Sequence, residues 1–337
     1  MNMVSLPSSF SFLVLAFNHE DYILEHLESI KYLVERYGSS IDVEIIFNDD
    51  LSTDKTVEIA DTWLNVNSSI FSRVVKIYNH ENLGTCSSLV NMIREITSEA
   101  CKMTAGDDVY SFENIFEYGH LSDNCAILSG IPLYLRDSVL SINKSDVFHI
   151  VASDVINSGN GLGERFKGVG VINSPSLIYE PCFLKDEKLL SFLSGFDVVE
   201  DRAIWLSMAN LCPDRRFDVI DKVFVYYRRT LGSTYMVAGS RVYADSKKYH
   251  EYLVSCAPTQ LQRLLLNNRF YCYKLKNRIL KKVLNFSLYL YFFRVLGRIT
   301  SSFSRYSRLD LKLDKHVVHY QEIQAAAHDF SDRNLTL

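Results

Sequence analysis

The sequence has no C-x-x-C pair, no uninterrupted apolar run long enough to cross a membrane, and no excess of basic residues. Each absence removes a class of protein. Seven cysteines, Cys86, Cys101, Cys125, Cys182, Cys212, Cys256 and Cys272, stand singly along the chain. An odd, unpatterned set argues against a disulfide framework or a zinc site and points to reduced thiols in a cytoplasmic protein. A formal net charge of −4 lacks the footprint of a general nucleic-acid binder, so no nucleic-acid partner is expected. The start of the chain shows no basic flank and apolar core of a signal peptide; its apolar stretch, Phe10 to Phe17, is short and reads as a strand. No run reaches the length of a membrane-spanning helix. Histidine is scattered: His19, His26, His316 and His319 form no H-E-x-x-H set and read as packed or solvated side chains.

What is present is a chain of 337 residues, 47% hydrophobic, enough for one large core plus an appendage. Phe10 to Phe17 is a continuous apolar run, the pattern of a strand buried on both faces. From Asp21 to Tyr37, Ile23, Leu27, Ile30 and Leu33 recur at helical spacing, and Gly38 stops the helix. Strand signals follow at Val43–Phe47, Val74–Tyr78 and Lys102–Thr104, helix signals at Thr53–Trp63 and Ser87–Ile96. This alternation predicts right-handed crossovers and a mostly parallel sheet. Ligands on such sheets bind beyond the carboxyl ends of the strands, which here carry Phe17-Asn18, Asn48-Asp49-Asp50 and Gly106-Asp107-Asp108.

The glycine-rich stretch from Gly159 to Gly170 departs from G-x-G-x-x-G spacing and reads as a surface loop. A helix over Val199–Leu211 and a strand over Val219–Tyr227 come next, and beyond Arg229 the α/β rhythm ends. From Thr259 to Leu309 no acidic residue occurs, while lysine and arginine interleave with Leu, Tyr and Phe. Two accounts fit that tail. Basic, aromatic-rich amphipathic helices suit the surface of an anionic membrane. A helical hairpin packed on the first domain, with a solvated basic face, would carry the same composition.

Three acidic clusters fall where the topology predicts a site: Asp49-Asp50, Asp107-Asp108, and Glu200-Asp201 at the start of a helix. Carboxylates at the ends of buried strands are costly unless they meet a cation, hydrogen-bond donors or water. A divalent ion on a diphosphate is one such cation, and it needs few protein oxygens because phosphate and water fill its shell. Any one pair alone reads as a turn or a helix cap, with Ser52, Thr53 or Asp54 capping the second helix. Three at one sheet edge point to chemistry.

The same stretches carry a resemblance. Phe12 to Asn18, Leu27 to Ile30 and Ile45 to Asp54 resemble the opening of family 2 glycosyltransferases with the GT-A fold. Asn82-Leu-Gly84, Asp107-Asp108, Pro175 to Ile178, Glu200-Asp201 with Trp205, and Tyr227 to Thr234 follow in the family's order, so the resemblance covers Ser9 to Thr234. It implies an α/β GT-A nucleotide-diphospho-sugar transferase fold. A mostly parallel central sheet flanked by helices would form a catalytic domain over 1–235, followed by a basic helical extension over 236–337.

Carried onto this chain, the resemblance puts Phe17 and Asn18 near the nucleotide base, Asp49 hydrogen-bonding it, and Asp50 shaping the pocket. Asp107 would hold a divalent Mn or Mg ion on the diphosphate, with Asp108 beside it, and Arg228 would reach the diphosphate. Asp201 would be the general base, with Glu200 and Trp205 next to it. Two departures stand out: the family's metal motif is commonly Asp-x-Asp, and its first position is Ala105 here; the family's histidine after Tyr-Arg is replaced by Thr230. The implied reaction is inverting transfer from a nucleotide-sugar, a UDP-sugar foremost, to a glycan or polyprenyl-diphosphate-linked glycan. That places the chain in bacterial O-antigen or capsule assembly, peripheral on the inner face of the plasma membrane.

Two rivals differ in class. Sugar nucleotidylyltransferases share much of the topology but need a glycine- and basic-rich loop after the first strand, where Phe17 to Asp21 is acidic. A catalytically degenerate GT-A protein, acting as a membrane-bound partner in a synthesis complex, draws support from Ala105 and Thr230.

Overall fold

The computed structural model describes residues 6–121, 124–166, 171–229 and 239–335. Gly170, Thr230, Tyr235 and the 235/236 domain boundary expected from the sequence lie outside the described residues. Strand β1 (Ser9–Ala16) leads to helix α1 (Ile23–Tyr37), β2 (Asp42–Asp49), α2 (Thr56–Val66), β3 (Arg73–Tyr78), α3 (Gly84–Glu95) and β4 (Ala100–Ala105). Then come β5 (Val109–Tyr110), β6 (Cys125–Ser129), β7 (Leu133–Arg136), β8 (Val139–Ser141), α4 (Lys144–Ile156) and α5 (Leu162–Arg165). The first part of the chain closes with β9 (Leu177–Tyr179), α6 (Pro181–Leu184), α7 (Glu187–Leu193), α8 (Glu200–Leu211), β10 (Arg216–Val219) and β11 (Val225–Arg228).

Seven strands form the main sheet in the order β10-β6-β9-β4-β1-β2-β3. It is parallel except at β9, which runs antiparallel to both neighbours. Alternate residues of β1 serve different cores, which is why its whole sequence is apolar. Phe10, Phe12 and Val14 pack with Ile23, Leu27 and Ile30 of α1 and Trp63 of α2, while Leu13 joins Met92 and Ile93 of α3 and Ile204 of α8. In register, Ala16 pairs with Asp49 and Leu15 with Ala105, so β1, β2 and β4 end level. Phe17, Asp50 and Gly106 therefore leave the sheet along one edge.

The predicted strand over Val219–Tyr227 is two strands in two sheets. After β10 the chain turns through Asp221-Lys222, and β11 enters a second sheet of order β5-β11-β7-β8. The Ile131 amide donates to the Lys222 carbonyl at 2.8 Å and fixes that turn. The crossing returns Arg228 to the Asp107-Asp108 turn. The glycine-rich stretch also differs from expectation over its described part: Gly161 lies where a Cβ would sit 2.1 Å from the Pro213 carbonyl oxygen, and α5 is packed rather than a surface loop.

The tail is helical throughout its described length: α9 (Gly239–Cys256), α10 (Gln260–Lys274), α11 (Arg278–Val283), α12 (Phe286–Gly297), α13 (Ile299–Tyr306) and α14 (Leu313–Asn334). Among the described residues, no helix is long and apolar enough to cross a membrane. Part of the tail packs against the first half of the chain. Arg305 donates to Asp154 of α4 at 2.7 Å and Arg294 to the Ile156 carbonyl at 3.0 Å, so α12 and α13 dock on α4. The outer faces of α10 to α13 nevertheless leave Leu264, Ile279, Phe286, Phe293 and Phe303 exposed.

Helix α14 folds back onto α1. His316 is buried, stacked on Phe112 at 4.4 Å, with Nδ1 on the Tyr226 hydroxyl at 2.9 Å. His319 is buried against the Tyr32 ring, and His26, on the inner face of α1, is buried with its Nδ1 on the Asp108 carbonyl at 2.7 Å. The histidines are packed, as the sequence implied. Burial lowers all three to about 4. Because these folded values lie below the unfolded value near 6.5, their neutral forms support the fold above that pH. That support is lost as pH falls from about 6.5 to 4, at most about 3 kcal/mol per group. Hydrogen exchange is expected to show α14 losing protection by about pH 4.5 while β1 and β2 keep theirs. Equal protection of α14 at pH 7 and 4.5 would contradict this.

Candidate active site

The loop after β1 and the loop after β2 are laced together. Asn18, at φ 54, accepts from the Thr53 amide at 2.8 Å, and its own amide donates to Ser52 Oγ at 2.8 Å. Asp54 accepts from the Glu20 amide at 3.0 Å and caps α2 by accepting from the Thr56 amide at 2.9 Å. Phe17 projects from this braced loop with 44% of its surface exposed. Asp49 is buried at the end of β2 and holds Ser52 through the amide at 2.8 Å and the hydroxyl at 2.5 Å.

Asp50 turns the other way. Its carboxylate accepts from Asn79 Nδ2 at 2.8 Å, the Leu83 amide at 2.8 Å, the Gly84 amide at 2.9 Å and Ser88 Oγ at 3.1 Å. It thereby supplies the N-terminal cap that α3 lacks in its own sequence, a favourable place for an anion. Gly84 is required there: its φ is +79, and a Cβ would lie 2.2 Å from an Asp197 carboxylate oxygen.

The Asp107-Asp108 turn separates its two carboxylates. Asp108 is buried, accepts from the Arg228 amide at 2.9 Å, and is pushed well above the usual carboxylate range by burial and then by the charge of Asp107. Asp107 is half-buried, and no hydrogen-bond donor meets its carboxylate among the described residues; only its carbonyl is held, by Arg228 Nε at 2.6 Å. The Arg228 guanidinium lies 4.7 Å over the Tyr22 ring and pairs with Glu25. Glu25 also accepts from the Tyr320 hydroxyl at 2.9 Å, so α14 reaches the back of this turn.

Glu200 and Asp201 open α8, both half-buried. Burial raises both carboxyls, and the charge of Asp201 raises Glu200 further. Asp201 accepts from the Arg202 amide at 2.6 Å. Trp205, one turn on, faces away from the sheet edge: its Nε1 donates to the Tyr179 hydroxyl at 3.1 Å and its ring stacks on Phe166. Tyr227 connects the clusters. Its phenol is pushed up to about 12 by burial first, then by Asp108, with smaller contributions from Asp107 and Asp201. Asp49 and Asp50 brace the loops alongside.

Sequence reasoning missed the residues that aim this arrangement. Asp245 of α9, buried, accepts from the amides of Asp197 at 2.8 Å, Val198 at 2.7 Å and Val199 at 3.2 Å, the loop that delivers Glu200-Asp201. Arg241 joins Asp197 to Asn82 Oδ1, the latter at 3.0 Å, and so ties that loop to the start of α3. In the sequence both look like solvated charges on a polar helix. Asp245→Ala leaves three amides unmet, two of them buried, and is expected to cost about 3 kcal/mol. Thermal unfolding would show the loss, and Asp245→Asn, which keeps one acceptor, should recover part of it. An Asp245→Ala protein as stable as wild type would contradict this positioning role.

The comparisons agree with the geometry. Residues 11–117 match the model of glycosyl transferase family 2. No curated protein sequence matches the chain. Among solved structures, residues 1–349 of S. aureus TarS in complex with UDP align at a TM-score of 0.52 and 16% identity, over 95% of this chain and 91% of that one. The same fragment in complex with UDP-GlcNAc gives 0.53 and 16%, over 95% and 92%. The mannosyltransferase PcManGT from Pyrobaculum calidifontis, in complex with GDP-Man and Mn2+, gives 0.54 and 13%, over 98% and 88%. At such identities the structures speak to the fold, and the family match to residues 11–117. Over residues 11–117 the chain is similar to glycosyl transferase family 2, and its fold is similar to those of TarS and PcManGT.

Proposed function

We propose that the protein transfers a sugar, with inversion, from a nucleoside-diphosphate sugar to a hydroxyl of a glycan or polyprenyl-diphosphate-linked glycan. A UDP-sugar is the donor we favour, and bacterial surface polysaccharide assembly (O-antigen or capsule) the setting. The observation that carries the reading is that β1, β2 and β4 end level, so that Asp50 and Asp107 leave one sheet edge, and Arg241 and the Cys86 amide tie the loop before Glu200-Asp201 to the start of α3, which Asp50 caps. Phe17 offers an exposed ring to the base, and Asp49 with Asn18 holds the loop around it.

Asp201 takes the proton of the acceptor hydroxyl as that oxygen attacks the anomeric carbon, and the nucleoside diphosphate leaves from the opposite face. Its raised pKa makes it a stronger base than an ordinary aspartate, and its charge in turn raises Glu200 beside it. A Mn or Mg ion would be held by Asp107, whose carboxylate meets no donor among the described residues, and when bound would neutralise charge on the leaving diphosphate. Asp108 holds the Arg228 backbone and thereby the turn that presents Asp107. Ala105 leaves that site one carboxylate short of the family's pattern. The exposed apolar faces of α10 to α13, with the basic residues between them, support a peripheral seat on the anionic cytoplasmic face of the membrane.

A panel of nucleotide-sugars with Mn or Mg tests the donor by thermal shift. A true donor at 100 times its dissociation constant should stabilise the fold by about 2.7 kcal/mol. A panel in which no nucleotide-sugar moves the midpoint would count against the reading.

A further inference from the structure

Behind the Asp107-Asp108 turn lies a charged cluster that the transfer step itself does not use. Arg228, the last residue of β11, is buried. Its amide donates to the Asp108 carboxylate at 2.9 Å and its Nε to the Asp107 carbonyl at 2.6 Å, so the guanidinium lies against the backbone of the turn. The other end of the guanidinium pairs with Glu25 of α1, and the Tyr22 ring covers it at 4.7 Å. Glu25 is held in turn by α14. It accepts from the Tyr320 hydroxyl at 2.9 Å and from Gln324 Nε2 at 3.4 Å, and Gln324 also donates to the Tyr320 hydroxyl at 3.1 Å.

Docking α14 on α1 does not by itself call for these charges. A buried ion pair is a poor source of stability, and apolar side chains of the same volume do as well or better. A buried guanidinium deprived of its carboxylate, by contrast, must find another. Asp108 is already committed to the Arg228 amide. Asp107, whose carbonyl the guanidinium touches, carries a carboxylate that meets no donor among the described residues. A paired Arg228 and Asp107 would form a strong, charge-assisted contact. It would also neutralise the carboxylate of this turn that is free to hold a cation.

We propose that Glu25, with Tyr320 and Gln324 behind it, is a positioning set that keeps the charge of Arg228 off Asp107. The Asp107 carboxylate then stays available to a divalent ion and the diphosphate that the ion carries. Arg228 is itself a positioning residue, in place of the diphosphate contact expected from the sequence. The last helix of the chain thus serves the metal site from 295 residues away. This rests on the transferase reading above and adds residues that reading does not use.

The test measures UDP and GDP binding to the full chain by calorimetry, once with Mn2+ and once with EDTA. Mn2+ should tighten binding of one of them to the wild type by about tenfold or more, the least that a close charge pair shielded from water supplies. In Glu25→Gln the released guanidinium turns to Asp107, and the Mn2+ effect should shrink to about twofold or less while binding in EDTA keeps its strength. Tyr320→Phe keeps the ring in the core and removes one donor to Glu25, so it should fold normally and lose part of the effect. Glu25→Gln combined with Arg228→Gln removes the misplaced charge and keeps a donor for the Asp107 carbonyl, and the Mn2+ effect should return. A merely structural brace would give no such rescue, because a second change in one cluster would add to the damage. A full Mn2+ effect in Glu25→Gln or in Tyr320→Phe, or no recovery in the double variant, would overturn the proposal. So would binding to the wild type that Mn2+ leaves unchanged. In each of these cases a nucleotide binds and this inference fails alone. If neither UDP nor GDP binds the wild type, the transferase reading fails with it.

Discussion

Asp201→Asn is expected to slow sugar transfer by about two to four orders of magnitude while nucleotide-sugar affinity stays within about twofold. Asparagine keeps the shape and the hydrogen bond to the Arg202 amide but cannot accept the acceptor's proton. The fall should therefore appear in kcat, measured with saturating donor. Replacing Asp201 removes the charge that helps raise Glu200, so Glu200 should ionise at lower pH in the variant. If Glu200 substituted as base, Asp201→Asn would keep much of its activity and Glu200→Gln would lose it. Wild-type turnover in Asp201→Asn would remove the assignment.

Asp107→Ala is expected to reduce transfer by about two to three orders of magnitude, the worth of one electrostatic partner at a developing charge in a site shielded from water. The effect should differ in kind from that of Asp201. Donor binding should weaken in the variant, and added Mn or Mg should no longer strengthen it. Asp108→Asn should behave otherwise, since Asp108 is buried and holds the Arg228 amide, so its loss should lower thermal stability. A metal effect on donor binding that is the same in Asp107→Ala and wild type would place the ion elsewhere.

The candidate site's edge was legible because buried parallel strands write themselves as apolar runs, and the carboxylates that end them break the run abruptly. The register of β1 with β2 and β4 then sets those breaks level. The antiparallel turn of β9 and the split of Val219–Tyr227 into β10 and β11 were not legible: a short apolar strand has no mark for direction, and Asp221-Lys222 is a modest turn signal. The contacts of the tail were hidden for another reason. Glu25 and Tyr320 lie 295 residues apart, and Asp245 meets amides about 46 to 48 residues away, distances at which no local pattern speaks. Asp245 sits in Ala244-Asp-Ser-Lys-Lys248, which reads as a solvated helix face until the Asp197–Val199 loop closes over it. The basic tail, conversely, was visible as composition, but only its fold shows that one helix braces the Asp107 turn while others leave an apolar face open.

The account's central claim is single displacement with Asp201 as base, and the anomeric configuration of the first-formed product tests it most directly. With a nucleotide α-sugar that the protein turns over, proton NMR during slow hydrolysis should show the β-sugar appearing first and the α-anomer only as mutarotation proceeds. The signal should vanish in Asp201→Asn. An α-sugar released first would mean retention, and with it a different mechanism and a different role for Asp201.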